Sequence, residues 1–158
     1  MTRRKALVVF EGTASPLSEL DIRRVEQKLR VRLPQDLKEH YLRYNGGTPR
    51  PEFFVKDGEA YDVEEFLPMN IRNDKGLTFE RTYTFLVHEK PEFPQGYIPF
   101  ACDSAGDYFI YSVIPGSFGN IMFNSRADYG DDDRYIFFLA PSLREFINSL
   151  TECPEGME

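Results

Sequence analysis

Between Phe53 and Leu139 the apolar residues come in short runs, each stopped by Gly, Pro, Asp or Asn. The runs are Phe53-Phe54-Val55, Thr82 to His88, Tyr97 to Cys102, Tyr108 to Val113, Asn120 to Phe123 and Tyr135 to Leu139. They are rich in aromatic and β-branched residues, and that combination reads as a series of strands separated by turns. Asp103-Ser104-Ala105-Gly106-Asp107 joins two of them as a hairpin loop, with Gly106 turning the chain. Lys5 to Glu11 reads as a further short strand, and Tyr61 to Pro68 as a short helical turn over the strand pair.

Helical signals lie on either side of this region. Ser18 is placed to cap a helix and Asp21 to reach back in a variant capping box, with Leu17 and Ile22 as a hydrophobic staple. Ile22, Val25 and Leu29 then share one helical face. A second helix starts at Leu33-Pro34, where the missing N–H of Pro34 costs nothing, and buries Leu37, Tyr41 and Tyr44. Asn45-Gly46-Gly47 ends it, because Asn and Gly tolerate left-handed backbone. Ser142 and Glu145 mark a closing helix with Leu143, Phe146, Ile147 and Leu150 on its apolar face. Helices, then strands, then a helix predict an α+β fold in which N-terminal helices and a C-terminal helix pack on a curved, mainly antiparallel sheet. No linker or repeat divides the 158 residues, so one domain over 1–158 is expected, with its core at about 5–150 and a polar, frayed tail at 151–158.

The chain carries a formal net charge of −7. Such a chain repels phosphate backbones and anionic lipid heads, which argues against nucleic acid and membrane as partners. The same charge serves solubility or speeds encounter with a basic protein. The 14 Phe and 9 Tyr must in part be core, and any surplus at the surface suits a partner or a homodimer. Cys102 and Cys153 are too few for a disulfide framework and too far apart for a metal site, so both read as reduced thiols of a cytoplasmic protein. The apolar run after the first five residues is too short for a signal peptide or a membrane span.

Chemistry is hard to place on this chain. His40 and His88 have no partner at a metal-ligand spacing, and both read as surface histidines. There is no Gly-x-Ser-x-Gly elbow and no phosphate loop; Gly46-Gly47 closes a helix where a phosphate loop would open one. Asp103 and Asp107 are explained by a turn more simply than by a calcium loop. No catalytic residue, metal or cofactor is expected. Two acidic clusters remain as the candidate partner-binding surface. One holds Glu52, Asp57, Glu59, Asp62, Glu64 and Glu65, opposed only by Lys56, with Glu59, Asp62, Glu64 and Glu65 as its partner-binding candidates; the other holds Asp128, Asp131, Asp132 and Asp133, with Tyr129 as an aromatic anchor. The plainer alternative for both is solvated loop charge.

The segment Leu33-Pro34-Gln35-Asp36-Leu37, followed by Tyr41-Leu42 and Asn45-Gly46-Gly47, resembles the LP-x-x-hydrophobic…NGG signature of the SUKH superfamily, the Smi/Knr type. Ile98 to Asp103 with Gly106 to Phe109 is similar to that family's central hairpin, and Pro141 to Ile147 to its last helix. The resemblance implies the same α+β fold, with Pro34, Asn45, Gly46, Gly47, Asp103 and Gly106 as structural motif residues. It further implies a protein-binding role without catalysis. Bacterial members are mostly immunity proteins that neutralise a cognate toxin by direct binding, for example a nuclease. Fungal members regulate cell-wall synthesis through protein contacts. The chain departs from many relatives in having no Trp and a long 56–81 stretch.

Overall fold

The structure is a computed structural model and describes residues 7–72, 76–125 and 135–155. It is an α+β fold. Strand β1 (Val9–Glu11) is followed by helices α1 (Glu19–Leu29) and α2 (Gln35–Arg43). Strands β2 (Thr48–Arg50), β3 (Phe53–Lys56), β4 (Glu59–Asp62) and β5 (Glu65–Phe66) come next. Helix α3 (Phe79–Tyr83) runs into a π-helical turn, Thr84–Glu89. Strands β6 (Tyr97–Cys102), β7 (Tyr108–Ser112), β8 (Ile121–Asn124) and β9 (Ile136–Ala140) precede helix α4 (Leu143–Asn148).

Every strand pairing is antiparallel. β5 to β9 form one sheet in chain order, β3 and β4 form a hairpin, and β1 pairs with β2. A bridge between Gly47 and Phe66 ties the entry to β2 onto β5.

The expected caps form. Ser18 Oγ accepts the Asp21 N–H at 3.1 Å while the Asp21 carboxylate accepts the Ser18 N–H at 2.8 Å, satisfying two donors that a helix start leaves open. Ser142 Oγ likewise accepts the Glu145 N–H at 3.1 Å. Pro34 is the N-cap of α2. At the other end of that helix, Asn45 is buried and joins three segments. Its Nδ2 donates to Ser15 O and Met69 O, and its Oδ1 accepts the Met69 N–H. The two glycines after it are fixed by space as well as by positive φ. A Cβ on Gly46 would lie 2.9 Å from Pro68 Cα, and one on Gly47 would lie 2.7 Å from Glu11 O.

The buried side chains make one contiguous cluster between helices and sheet. Phe146 of α4 is at its centre, with ring centroids 5.1 Å from Phe54, 5.4 Å from Phe109 and 6.1 Å from Phe100. Tyr41 is fully buried and donates its hydroxyl to Leu67 O at 2.8 Å, a bond that offsets the desolvation of its polar end.

Four expectations are corrected. Thr82 to His88 is helical and not a strand. Thr78 caps α3 by accepting the Arg81 N–H, and Phe79, Tyr83 and Leu86 are buried at helical spacing. Tyr61 to Pro68 holds strand residues of β4 and β5 and no helical turn. Thr48–Arg50, where Pro49 reads from the sequence as a residue that prevents the helix continuing, is strand β2. The tail does not begin at 151, because Thr151 and Phe53 exchange two backbone hydrogen bonds of 2.7 and 2.9 Å.

Candidate protein-docking surface

The first acidic cluster sits where the β3–β4 hairpin runs into β5. Asp57 and Gly58 form its two-residue turn, both at positive φ, as a tight hairpin of right-twisted strands requires. Glu59 is exposed just past the turn. Tyr61 packs on Phe123 with ring centroids 4.9 Å apart. Burial, and then the charges of Glu59 and Asp57, raise its phenol above the ordinary range. Asp62 accepts the Ser104 N–H at 2.9 Å, which ties β4 to the β6–β7 turn.

The backbone of Glu64 is held on both sides. Its N–H donates to Cys102 O at 2.9 Å, and its carbonyl accepts the Thr48 hydroxyl at 2.8 Å. The residue is nevertheless exposed. Glu65 pairs across the sheet with Cys102, and burial followed by the Glu64 charge raises its carboxyl. In the β6–β7 turn, Asp103 Oδ1 accepts the N–H groups of Ala105 at 3.0 Å and Asp107 at 2.7 Å. Burial lifts the Asp103 carboxyl; the hydrogen bond from the Asp107 N–H opposes the rise, and the charges of Asp107 and Asp62 add to it.

Topology thus brings Asp62, Glu64 and Glu65 together with Asp103 and Asp107, a pair that reads from the sequence as turn residues alone. Among the described residues no cation within ion-pair distance offsets Glu59, Asp62, Glu64 or Glu65. The neighbouring cations are engaged elsewhere: Arg50 pairs with Glu11 and Glu52, and the Lys56 ammonium lies 5.3 Å from the centroid of the Phe138 ring. Asp128, Tyr129, Asp131, Asp132 and Asp133 lie outside the described residues, in the segment between β8 and β9.

The outer strand β9 adds two exposed rings, Phe137 and Phe138, at about 40% exposure each. Sequence reasoning placed this strand but not its exposure. The signal available was the aromatic surplus.

The histidines differ from one another. His40 is half-buried, with its Nε2 atom turned inward, where the sequence reads a surface histidine. Its ring lies 4.9 Å from Phe66 and 5.0 Å from Phe10, and Nε2 has no hydrogen-bond partner. Burial, and secondarily the Arg43 charge, push its pKa down to about 4. His88 is exposed on the π-helical turn. Neither is hydrogen-bonded to a carboxylate, serine or cysteine among the described residues. The open cleft of about 230 Å³ beside His40 includes Asp36, whose carboxylate already accepts the Tyr111 hydroxyl at 2.7 Å. No group of three His, Cys, Asp or Glu among the described residues could hold a metal ion. No described helix is long and apolar enough to cross a membrane.

This α+β body thus carries a charged junction of β4, β5 and the β6–β7 turn, held by backbone hydrogen bonds. The chain belongs to the SMI1 / KNR4 family (SUKH-1), whose family model matches residues 16–149. Domains of this family are typically non-enzymatic binding modules, and membership supports a protein-binding or immunity-type role. No curated protein matches the chain.

Proposed function

We propose that this chain is an immunity protein of the cytoplasm, a single domain without catalysis, that neutralises a basic cognate toxin by covering its active cleft. The observation that carries the reading is the meeting of Asp62, Glu64, Glu65 and Asp103 where β4, β5 and the β6–β7 turn adjoin, in a chain of a family of binding modules. Their backbones are fixed by hydrogen bonds, so the charge is presented with little ordering cost on binding. We assign Glu59, Asp62, Glu64 and Glu65 to the partner-binding surface, together with Asp128, Tyr129, Asp131, Asp132 and Asp133.

The test uses the toxin-like protein encoded beside this chain, purified with its active residue disabled. Charge reversal at Glu59 and Glu64, or at Asp131, Asp132 and Asp133, should slow association about ten-fold or more at low salt and flatten its dependence on ionic strength. Unchanged association would remove these residues from the interface. A genomic neighbourhood with no such protein, together with capture of an endogenous partner, would favour a regulatory module instead.

A further inference from the structure

A second groove lies at a different place on the molecule and has the opposite charge. Its sides come from the α1–α2 connection (Arg30, Val31, Arg32), the α3 and π-helical segment (Tyr83, Val87), and the β6 approach (Phe93 to Ile98) with Val113. Its volume is about 270 Å³. Phe93, Ile98 and Tyr83 are buried and make an apolar floor, while Val87 is exposed at 36%. Among the described residues the two guanidinium groups are its only charged lining.

Neither Arg30 nor Arg32 has an ion pair or hydrogen bond from its side chain among the described residues. Glu26, which lines the adjoining depression with them, is committed: its carboxylate accepts the Leu33 N–H at 2.7 Å. Arg23 joins the same two arginines around the adjoining shallow depression, so positive charge accumulates here in a chain of net charge −7. Arg30 also occupies the left-handed C-cap of α1, at φ 56°. That position favours Gly or Asn, and an arginine there is held against local backbone preference.

We propose that this groove docks an extended, acidic peptide segment of a partner protein, with carboxylates on Arg30 and Arg32 and an apolar side chain in the slot between Tyr83, Phe93 and Ile98. Arginine forks match carboxylates in geometry, and the apolar floor supplies the area that charge alone lacks. A nucleic-acid strand meets the same arginines, but the apolar floor of Tyr83, Phe93 and Ile98 offers nothing to its sugar–phosphate backbone. The proposal does not rest on toxin binding, because it concerns a different surface.

The probe is a fluorescein-labelled hexapeptide alternating Asp with Phe, titrated against the full chain beside a counterpart alternating Asn with Phe. The acidic peptide should bind at least ten-fold more tightly and shift the amide resonances of Val87, Gly96 and Val113. Arg32→Gln, and Arg30→Asn, which keeps the left-handed turn, should each weaken it about ten-fold without altering the folded spectrum, while Glu64→Lys leaves it unchanged. Equal binding of both peptides, no binding, or indifference to both arginine variants overturns the proposal. So does tighter binding of a labelled oligothymidine at this groove, or a dimer that Arg32→Gln dissolves, which would give the groove to a second copy.

Discussion

Asn45 and Met69 bond to each other in both directions, the Asn45 Nδ2 donating to Met69 O at 2.9 Å and its Oδ1 accepting the Met69 N–H at 2.8 Å. With Ser15 O as a third partner at 2.8 Å, one side chain fixes the end of α2 against two loops. Asn45→Ala would strand a buried N–H and two carbonyls and should cost about 3 kcal/mol. Asn45→Asp keeps the acceptor and loses both donated bonds, so it rescues little. Urea unfolding of the two variants checks this; a loss under about 1 kcal/mol in Asn45→Ala would show that water replaces the side chain.

Acid should destabilise the protein through His40. Its folded pKa of about 4 lies below the ordinary 6.5, so in the interval between them the unfolded chain takes a proton that the folded chain refuses. Stability therefore falls as pH drops from about 6.5 to about 4 and levels off below, by at most about 3 kcal/mol. His40→Phe fits among Phe10, Tyr44 and Phe66 and should remove this part of the pH dependence. The check is the difference between wild-type and variant unfolding free energies across pH 4 to 7. A constant difference would contradict the assignment.

The two thiols should separate cleanly. Cys102 is 3% exposed and its pKa is pushed up to about 12, first by burial and then by Glu65, Asp103 and Glu64. Cys153 is partly exposed. At pH 8 a disulfide-exchange reagent should titrate one thiol quickly in the native protein and the second only on unfolding. Two fast equivalents would mean that β6 opens readily.

The sequence was most readable where local chemistry decides the structure. Ser18 with Asp21, and Pro34, mark their helix starts with groups that act within a few residues, whereas Asn45 ends α2 through bonds to Ser15 and Met69 that are distant in sequence. It misled where composition and spacing disagree. Thr82 to His88 has the β-branched and aromatic make-up of a strand, yet Thr78 caps a helix and Phe79, Tyr83 and Leu86 follow at four- and three-residue intervals. In the other direction, Asp57-Gly58 is a strong hairpin signal, and it makes the residues after it strand β4, where a helical turn over Tyr61 to Pro68 was expected. At the candidate site, Glu59, Asp62, Glu64 and Glu65 were visible as a local cluster. Their meeting with Asp103 depends on β5 pairing with β6, and the burial of His40 depends on β1 and β5. Both arise from contacts distant in sequence.

The double hydrogen bond between Phe53 and Thr151 spans nearly a hundred residues of chain. The hairpin that presents Glu59 is thus moored by a segment made long after it, beyond every strand of the large sheet. Local turns can close as soon as they are synthesised, but this clasp has to wait for the helix Leu143–Asn148 to dock. Maturation of the charged face would then be a late folding event, and its readiness would report that the whole body behind it is already in place.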